Sequence, residues 1–498
     1  MNGWRLIEMV SLGIDIGGTG CKCVAFRENG EQLALSYLEY PNPAGNGNIQ
    51  ATALRDAVFS VTAQCVKQLE NPQEIVAITI SSFGESFVPV DEAGCPLTDI
   101  ILYFADSENE AFKRKIAQIG IADISEITRV LPDASYSLSK MLTAPGNTHM
   151  FLFVASYIVF LLTGKAVCDV SLACRTLLYD VRRGCWSEKL LAKTGIQAKQ
   201  LPTVLPTGAE VGEILPEVAW ILGLPDTVKV VMGSHDQIVN ALGAGVAVAG
   251  EAVDTTGTCE CITPLFRDMP GEEFIRNNFA CVPYLQDSGF VTYAYNISGG
   301  AAVRWYRDAL VKHLRSQAES EHCSIYDLLN CTCPADPTGL LIMPFVQGMG
   351  GTPDIAPNAT ASISGITAAT TLPEIYRGLL EGLCYEMRYN LERMEEGGVF
   401  PQRLYACGGG ARSKVWLQIK ADVWGREIIP VETEETGALG SAILGFAAVT
   451  GEKDIFALAK KFTRHGTPVL PDAGRHAYYT VQYERYKRLR KFYLEEMY

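Results

Sequence analysis

Residues 11–26 read SLGIDIGGTGCKCVAF, an apolar strand pattern interrupted by an Asp, two consecutive glycines, a Thr and a Lys within eight residues. Leu12, Ile14 and Ile16, resumed at Val24 and Phe26, alternate as the two strands of a hairpin do. Gly17, Gly18 and Gly20 fall where the chain turns, and glycine lets a backbone approach another group closely. Asp15 enters that turn and Lys22 leaves it. Bare amides, a hydroxyl, a cation and a carboxylate together suit a phosphate with its Mg²⁺. The same residues also suit an ordinary hairpin with a glycine turn, and the stretch alone leaves both readings open.

The rest of the composition narrows the class. A chain of 498 residues is longer than one core usually grows, so two domains are expected, with three as the upper bound. Apolar residues at 48% and charged residues at 20% are those of a soluble globular protein. The net charge is −14, without a basic run, and this argues against nucleic acid as a partner. The longest apolar run, Met150–Leu162, is too short to cross a bilayer and reads as a buried helix. The opening MNGWRLIEMV has no signal-peptide pattern, and 15 scattered cysteines read as reduced thiols of a cytoplasmic protein. The pairs Cys21/Cys23, Cys259/Cys261 and Cys331/Cys333, the last near Cys323 and His322, match no recognised zinc spacing.

Strands are expected at Leu12–Phe26, Leu33–Glu39 and Ile75–Ser81, with a helix over Ile49–Leu69. Near Lys229–Met232 the run VKVVM ends in the polar cluster GSHDQ and a helical segment follows. The C-terminal end of a strand is where open α/β sheets place ligands. The opening pattern then recurs in AVDTTGTCECITP, residues 252–264, about 240 residues after the first. Two phosphate-type hairpins, each starting one half of the chain, imply two similar α/β halves that share one nucleotide.

At this point the residues resemble the FGGY carbohydrate kinases, within the sugar kinase, Hsp70 and actin superfamily. The segments GIDIGGTGCK, FVPVDEAGCPL, YSLSK, FLFVASYIVFLLTG, GSHDQIVNALGAGV, DTTGTCE, SGGAAVRW, ASISGIT with LLEG, and ACGGGARSKVWLQIKADV come in the family's order. The resemblance covers Leu12 to about Gly451 and implies two actin-like, ribonuclease H-like domains, with mixed sheets, flanking helices and a cleft between them. Residues 1–247 would carry the sugar site and the first phosphate loop. Residues 248–498 would carry the second loop and the adenosine site.

Several positions depart from the family pattern. Thr143 stands where a Trp is usual, Val154, Ala155 and Ser156 where Pro-Lys-Asp is common, and Gly378 where Ala or Ser precedes LLEG. Phe83, Gly84, Glu85 and Ser86 replace the acceptor motifs of xylulose and glycerol kinases, and Asp106-Ser107-Glu108 replaces an Asp-x-Arg. They leave the nucleotide motifs intact and the identity of the acceptor open.

The resemblance implies ATP and Mg²⁺ as cofactors and a role for each matching residue. Asp236 is the general base, although an Asp there would also cap the following helix. Asp15 holds Mg²⁺, largely through water. Gly18, Thr19 and Lys22 face the phosphates from the first half, and Gly257 and Thr258 from the second, with Asp254 orienting that turn. Gly300, Gly409, Gly410, Ala411 and Lys414 wall the adenosine. Gly84, Glu85 and Gln237 join Asp236 around the acceptor, and His235 has either a structural role or none. Glu85, as a partly dry carboxylate, is expected to take hydroxyl donors from the sugar.

The function implied is phosphorylation of a small sugar, sugar acid or polyol, foremost a ketopentose such as xylulose, with gluconate or glycerol as alternatives. No nucleic acid or membrane partner is expected, and room remains for a homodimer. A non-catalytic ATP switch like Hsp70 or actin gives Asp236 no purpose. A dehydrogenase would need a G-x-G-x-x-G after its first strand, which is absent.

Overall fold

The hairpin of residues 11–26 forms as β1 (Val10–Ile16) and β2 (Gly20–Arg27), and its register places Asp15 directly opposite Lys22. The computed structural model describes residues 9–40, 48–102 and 110–497, so Asp106, Ser107 and Glu108 lie outside the described residues. Val10, Leu12, Ile14 and Ile16 are at most 1% exposed, which makes β1 a central strand. β3 (Gln32–Glu39) extends the hairpin on one side. On the other side, after helix α1 (Ala51–Val66), β4 (Ile75–Ser82) pairs parallel to β1. A helix, α2 (Val154–Thr163), precedes β5 (Glu210–Glu213), β6 (Lys229–His235) and helix α3 (Asp236–Gly243). The sheet order is β5-β6-β4-β1-β2-β3, parallel at β6-β4-β1 and antiparallel elsewhere.

The apolar run from Met150 is not one helix. Met150–Phe153 is a strand paired antiparallel with Phe87–Val90, and only α2 is helical. An unbroken apolar run carries no periodicity to separate a buried strand from a buried helix.

A second sheet repeats the first. β7 (Glu251–Thr256) and β8 (Glu260–Phe266) make its hairpin, and β9 (Phe290–Val291) and β10 (Ala294–Asn296) both pair with β8. Helix α4 (Gly299–Ala309) and the long helix α5 (Leu372–Glu396) lead to β11 (Arg403–Cys407), parallel to β7. Helix α6 (Lys414–Trp424) then leads to β12 (Ile428–Pro430), parallel to β11. The sense of pairing outward from each hairpin is the same in both sheets.

The chain divides into two units. One comprises Met1–Ala247, Cys281–Gly289 and Glu435–Thr463, the other Val248–Ala280, Phe290–Glu434 and Arg464–Tyr498. A single cut into 1–247 and 248–498 therefore separates helix α7 (Thr436–Thr450) from the sheet on which it packs. The reason is steric. A Cβ on Gly440 would stand 1.8 Å from Val239 O, one on Gly243 1.9 Å from Thr436 O, and one on Gly13 2.0 Å from Ala438 O. Only backbone-to-backbone contact fits there. The last helix, α8 (Ala473–Met497), belongs to the second unit, where Tyr479 and Tyr486 donate to Glu381 and Glu386 of α5.

Among the described residues no helix is long and apolar enough to cross a membrane. None of the 15 cysteines forms a disulfide, and no group of three or more His, Cys, Asp or Glu among the described residues is arranged to hold a metal ion.

Gly440→Ala should cost about 1–3 kcal/mol in denaturant unfolding, the usual penalty of overpacking. Gly271→Ala, where nothing lies within 4 Å, should leave stability unchanged. Equal effects would show that α7 does not seat through its glycines.

Candidate active site

β6 and α3 meet at His235–Asp236, at the C-terminal end of a parallel strand. The cap of α3 is His235, whose Nδ1 accepts the Gln237 amide at 3.4 Å, so the capping role open to Asp236 belongs to its neighbour. Burial, with Arg175 close by, holds the His235 imidazole well below its ordinary value and therefore neutral. Its Nδ1 lies 3.2 Å from Asp236 Oδ1 but is already an acceptor, and brings that carboxylate no proton. Asp236 Oδ1 and Gln237 Oε1 are thus buried atoms without a hydrogen bond. The Asp236 side chain is 30% exposed. Burial, then the charges of Asp15 and Glu85, push its carboxyl up to about 7 against the weaker pull of Gln237.

Asp15 and Lys22 share this unit with Asp236 and with a residue the sequence reading missed. Glu435, just before α7, accepts from Lys22 Nζ at 2.8 Å, while Asp15 Oδ2 lies 3.5 Å from the same ammonium. Burial opposes the Lys22 charge, but Asp15 and Glu435 outweigh it and raise its pKa. Two carboxylates, those of Asp15 and Glu435, therefore face one cation, and Asp236 is near enough to Asp15 for their charges to repel. Such a surplus fits a divalent ion, and Mg²⁺ is usually held by one or two carboxylates together with phosphates. Gly18 is half-buried and Thr19 is exposed in the turn between Asp15 and Lys22.

Glu85 is only 7% exposed and already has a partner. Arg175 donates to its Oε1 through Nε and Nη2, so the carboxylate does not depend on sugar hydroxyls for pairing. The guanidinium stacks on Tyr136, 4.7 Å from the ring centroid. In this turn Glu85 holds the left-handed conformation, at φ 63°, a sparsely populated region for a non-glycine residue. Gly84 serves packing, since a Cβ there would meet Arg175 Cγ at 2.7 Å and His235 Cδ2 at 2.8 Å. Lys140 is buried too, donating to Ser135 O at 2.5 Å, and burial brings its pKa down to about 8 against Glu85 and Asp133. With Phe87, Pro89, Thr98, Asp99 and Thr143 it lines a cavity of about 290 Å³.

The second unit has a pocket of its own, about 510 Å³, a size suited to a nucleoside. It gathers Gly257, Gly300, Gly409 and Gly410, as the sequence expected, with Arg304, Tyr326, Asn330, Tyr376 and Trp416, which it did not single out. Thr258, Ala411 and Lys414 are outside the lining. Thr258 Oγ1 accepts from Arg304 at 3.2 Å, and Lys414 is exposed at the start of α6. Gly300 donates its amide to Gly257 O at 3.0 Å, and a Cβ there would stand 2.1 Å from that oxygen. Asn330 Oδ1 accepts from Tyr376 and Ser413, which fixes its amide at the wall.

Residues 10–243 match the N-terminal domain of the FGGY family of carbohydrate kinases, and residues 256–449 match its C-terminal domain. The chain belongs to this family. It is an ATP-dependent carbohydrate kinase of two FGGY domains. Among FGGY relatives, a gluconokinase of Bacillus licheniformis is 28% identical over 89% of this chain and 88% of its own. A xylulose kinase of Bacillus subtilis (strain 168) is 26% identical over 96% of each. In fold, the chain is similar to ligand-bound xylulose kinase from Lactobacillus acidophilus at a TM-score of 0.88, with 20% identity over 98% of this chain and 99% of that one. Gluconate kinase from the same organism has a TM-score of 0.87 at 20% identity, again over 98% and 99%.

Removing one member of a buried ion pair strands the other. Arg175→Met should lower unfolding stability by about 3–5 kcal/mol, and Arg175→Met with Glu85→Gln should recover most of that loss. A double variant no more stable than the single would mean that the loss does not come from the stranded Glu85 carboxylate.

Proposed function

We propose that this kinase transfers the γ-phosphoryl of ATP to a hydroxyl of a ketopentose such as xylulose, with Asp236 as the general base. The observation that carries this reading is the Asp236 carboxylate, half-open at the end of β6, with an orphan Oδ1 and a pKa near 7. A base poised near neutrality both finds its ionised form populated and takes a hydroxyl proton readily. Gln237, with its orphan Oε1, accepts from a second acceptor hydroxyl. Asp15 and Glu435 hold Mg²⁺, which neutralises the phosphates when bound. Lys22 and the Gly18–Thr19 turn take phosphate oxygens. The pocket of the second unit takes the adenosine, with Gly257 and Thr258 at its phosphate end. The free thiols fit a cytoplasmic place of action.

A second acceptor class has an observation in its favour. Arg175 and Lys140 put two buried cations in the acceptor unit, and a carboxylate-bearing sugar such as gluconate would be recognised by them. The gluconokinase relative supports this reading as the xylulose kinase relative supports the first.

A panel of xylulose, gluconate and glycerol, each with Mg²⁺ and ATP and followed by ADP release, separates the two. Xylulose should give the highest kcat/KM. Gluconate in first place would transfer the assignment to the sugar acid, and no turnover on any ketopentose or sugar acid would overturn both.

Asp236→Asn should lower kcat by about 10²–10⁴ while leaving nucleotide affinity unchanged. Wild-type kcat/KM should fall with decreasing pH below about 7, as Asp236 takes up its proton. Stability should show the opposite cost. The folded pKa of Asp236 lies above the unfolded value of about 4, so ionisation destabilises the fold progressively as pH rises through that interval. Asp236→Asn should therefore raise Tm more at pH 8 than at pH 5, and equal gains at both would contradict a raised carboxyl.

A further inference from the structure

The hairpin of the second unit carries a wholly buried ion cluster, whereas the Lys22, Asp15 and Glu435 cluster at the first hairpin is partly exposed. Asp15 is one residue from the end of β1 and 19% exposed. Asp254 is two residues from the end of β7, and both it and Glu260, the first residue of β8, are wholly buried. Lys420 of α6, 1% exposed, reaches between them. Its ammonium donates to Asp254 Oδ2 and, at 2.7 Å, to Thr256 Oγ1, and it lies 2.8 Å from Glu260 Oε1. The rings of Trp416 and Trp424 lie 5.1 and 5.4 Å from that nitrogen. A further titratable group against the cluster is the Cys384 thiol of α5, itself pushed up by burial. From α4, Gly299 offers only backbone, and a Cβ there would stand 2.6 Å from Glu260 N.

One ammonium facing two carboxylates leaves a surplus negative charge in a place closed to bulk solvent, and a buried group in that position binds a proton. Asp254 Oδ1 and Glu260 Oε2 accept no hydrogen bond, which leaves the two carboxyls free to share one. Burial raises both, Glu260 to about 7, with Lys420 pulling down and Asp254 pushing up.

The cluster also supports the pocket. Thr256, held by Lys420, lines the pocket, as does Trp416, whose ring faces the same ammonium. Gly410 is seated on Thr256 so tightly that a Cβ would lie 2.6 Å from its side chain. Moving Thr256 would move the floor of the pocket and the start of the 256–258 turn.

We propose that Lys420 is a positioning residue for nucleotide, and that Asp254 and Glu260 share one proton which the bound state keeps. This rests on the reading of the second-unit pocket as the nucleotide site. A phosphate chain brings negative charge to the turn above the cluster, so it binds best when the cluster is neutral, and proton and nucleotide then favour one another reciprocally.

The test is ADP binding by calorimetry to the full chain, without acceptor, from pH 7.5 to 9.0, where the phosphates of ADP no longer titrate. Wild-type Kd should rise by about tenfold across that range, as expected for loss of one linked proton. Glu260→Gln, neutral at every pH, should hold its Kd within about twofold. Lys420→Met should raise Kd at pH 7.5 by about tenfold or more, the loss of a group that fixes a binding loop, with the acceptor KM unmoved. If that variant does not fold, Glu260→Gln decides alone. Asn330→Ala, in the pocket but outside the cluster, should weaken ADP by the same factor at each pH. Unchanged affinity in Asn330→Ala would remove the nucleotide reading of the pocket, and this proposal with it. Weakened binding there, with a pH slope in Glu260→Gln equal to the wild-type slope, would overturn the proposal alone.

Discussion

Backbone contact between α7 and the elements beneath it is the constraint on which the first unit depends. With Gly440 against Val239, Gly243 against Thr436 and Gly13 against Ala438, no side chain separates the helix from α3 or β1. Side-chain packing admits small repacking, whereas backbone packed on backbone fixes both distance and rotation. The residue before this helix is Glu435, α3 begins with Asp236, and β1 ends one residue after Asp15. Three acidic groups from remote parts of the sequence are therefore placed by one seam. Ser441, on α7, hydrogen-bonds Ser81 of β4 at 3.0 Å and closes the same seam with a polar contact.

Burial acts differently on the carboxylates of the chain according to what accompanies it. Glu85 is buried with a guanidinium that both pairs with it and stacks on a ring, so its carboxyl group is held at a fixed place. Asp236 lies beside other acids and a neutral imidazole, and the weaker pull of Gln237 does not offset burial and those charges, so its proton affinity rises. Asp254 and Glu260 fall between these cases, with one cation for two acids. The first arrangement favours rigidity and the second a base able to exchange its proton. The third stores a proton away from solvent.

Much of this was legible in the amino-acid order. The hairpin turns with their Asp, Thr and Gly residues, the polar cluster after VKVVM, and the repetition of the pattern in the second half all arise from local chemistry, and local chemistry is written in consecutive residues. The partners were not. Arg175 lies 90 positions from Glu85, and Glu435 lies 413 from Lys22. Nothing in SLACRTLL marks its arginine as a counter-ion, because pairing at that range depends on topology. One signal was available: Gly84, directly before an acidic residue, is a site where a Cβ would obstruct a neighbour. The split of the run from Met150 was hidden for another reason, since full burial of both strand and helix erases the periodicity that distinguishes them.

The route of the chain has a consequence for how the protein is made. Apart from the short segment Cys281–Gly289, the polypeptide leaves the first unit after Ala247 and completes most of the second before Glu435 returns to it. On a ribosome, about 190 further residues must emerge before α7 exists to cover β1, β4 and α3. At common elongation rates that is a wait of roughly 10–40 s with an apolar sheet face uncovered. The nascent chain thus spends much of its synthesis as an unfinished domain, dependent on chaperones or on its own partial collapse. A ribosome stall or nonsense codon anywhere before residue 436 would release a product whose first domain lacks its closing helix.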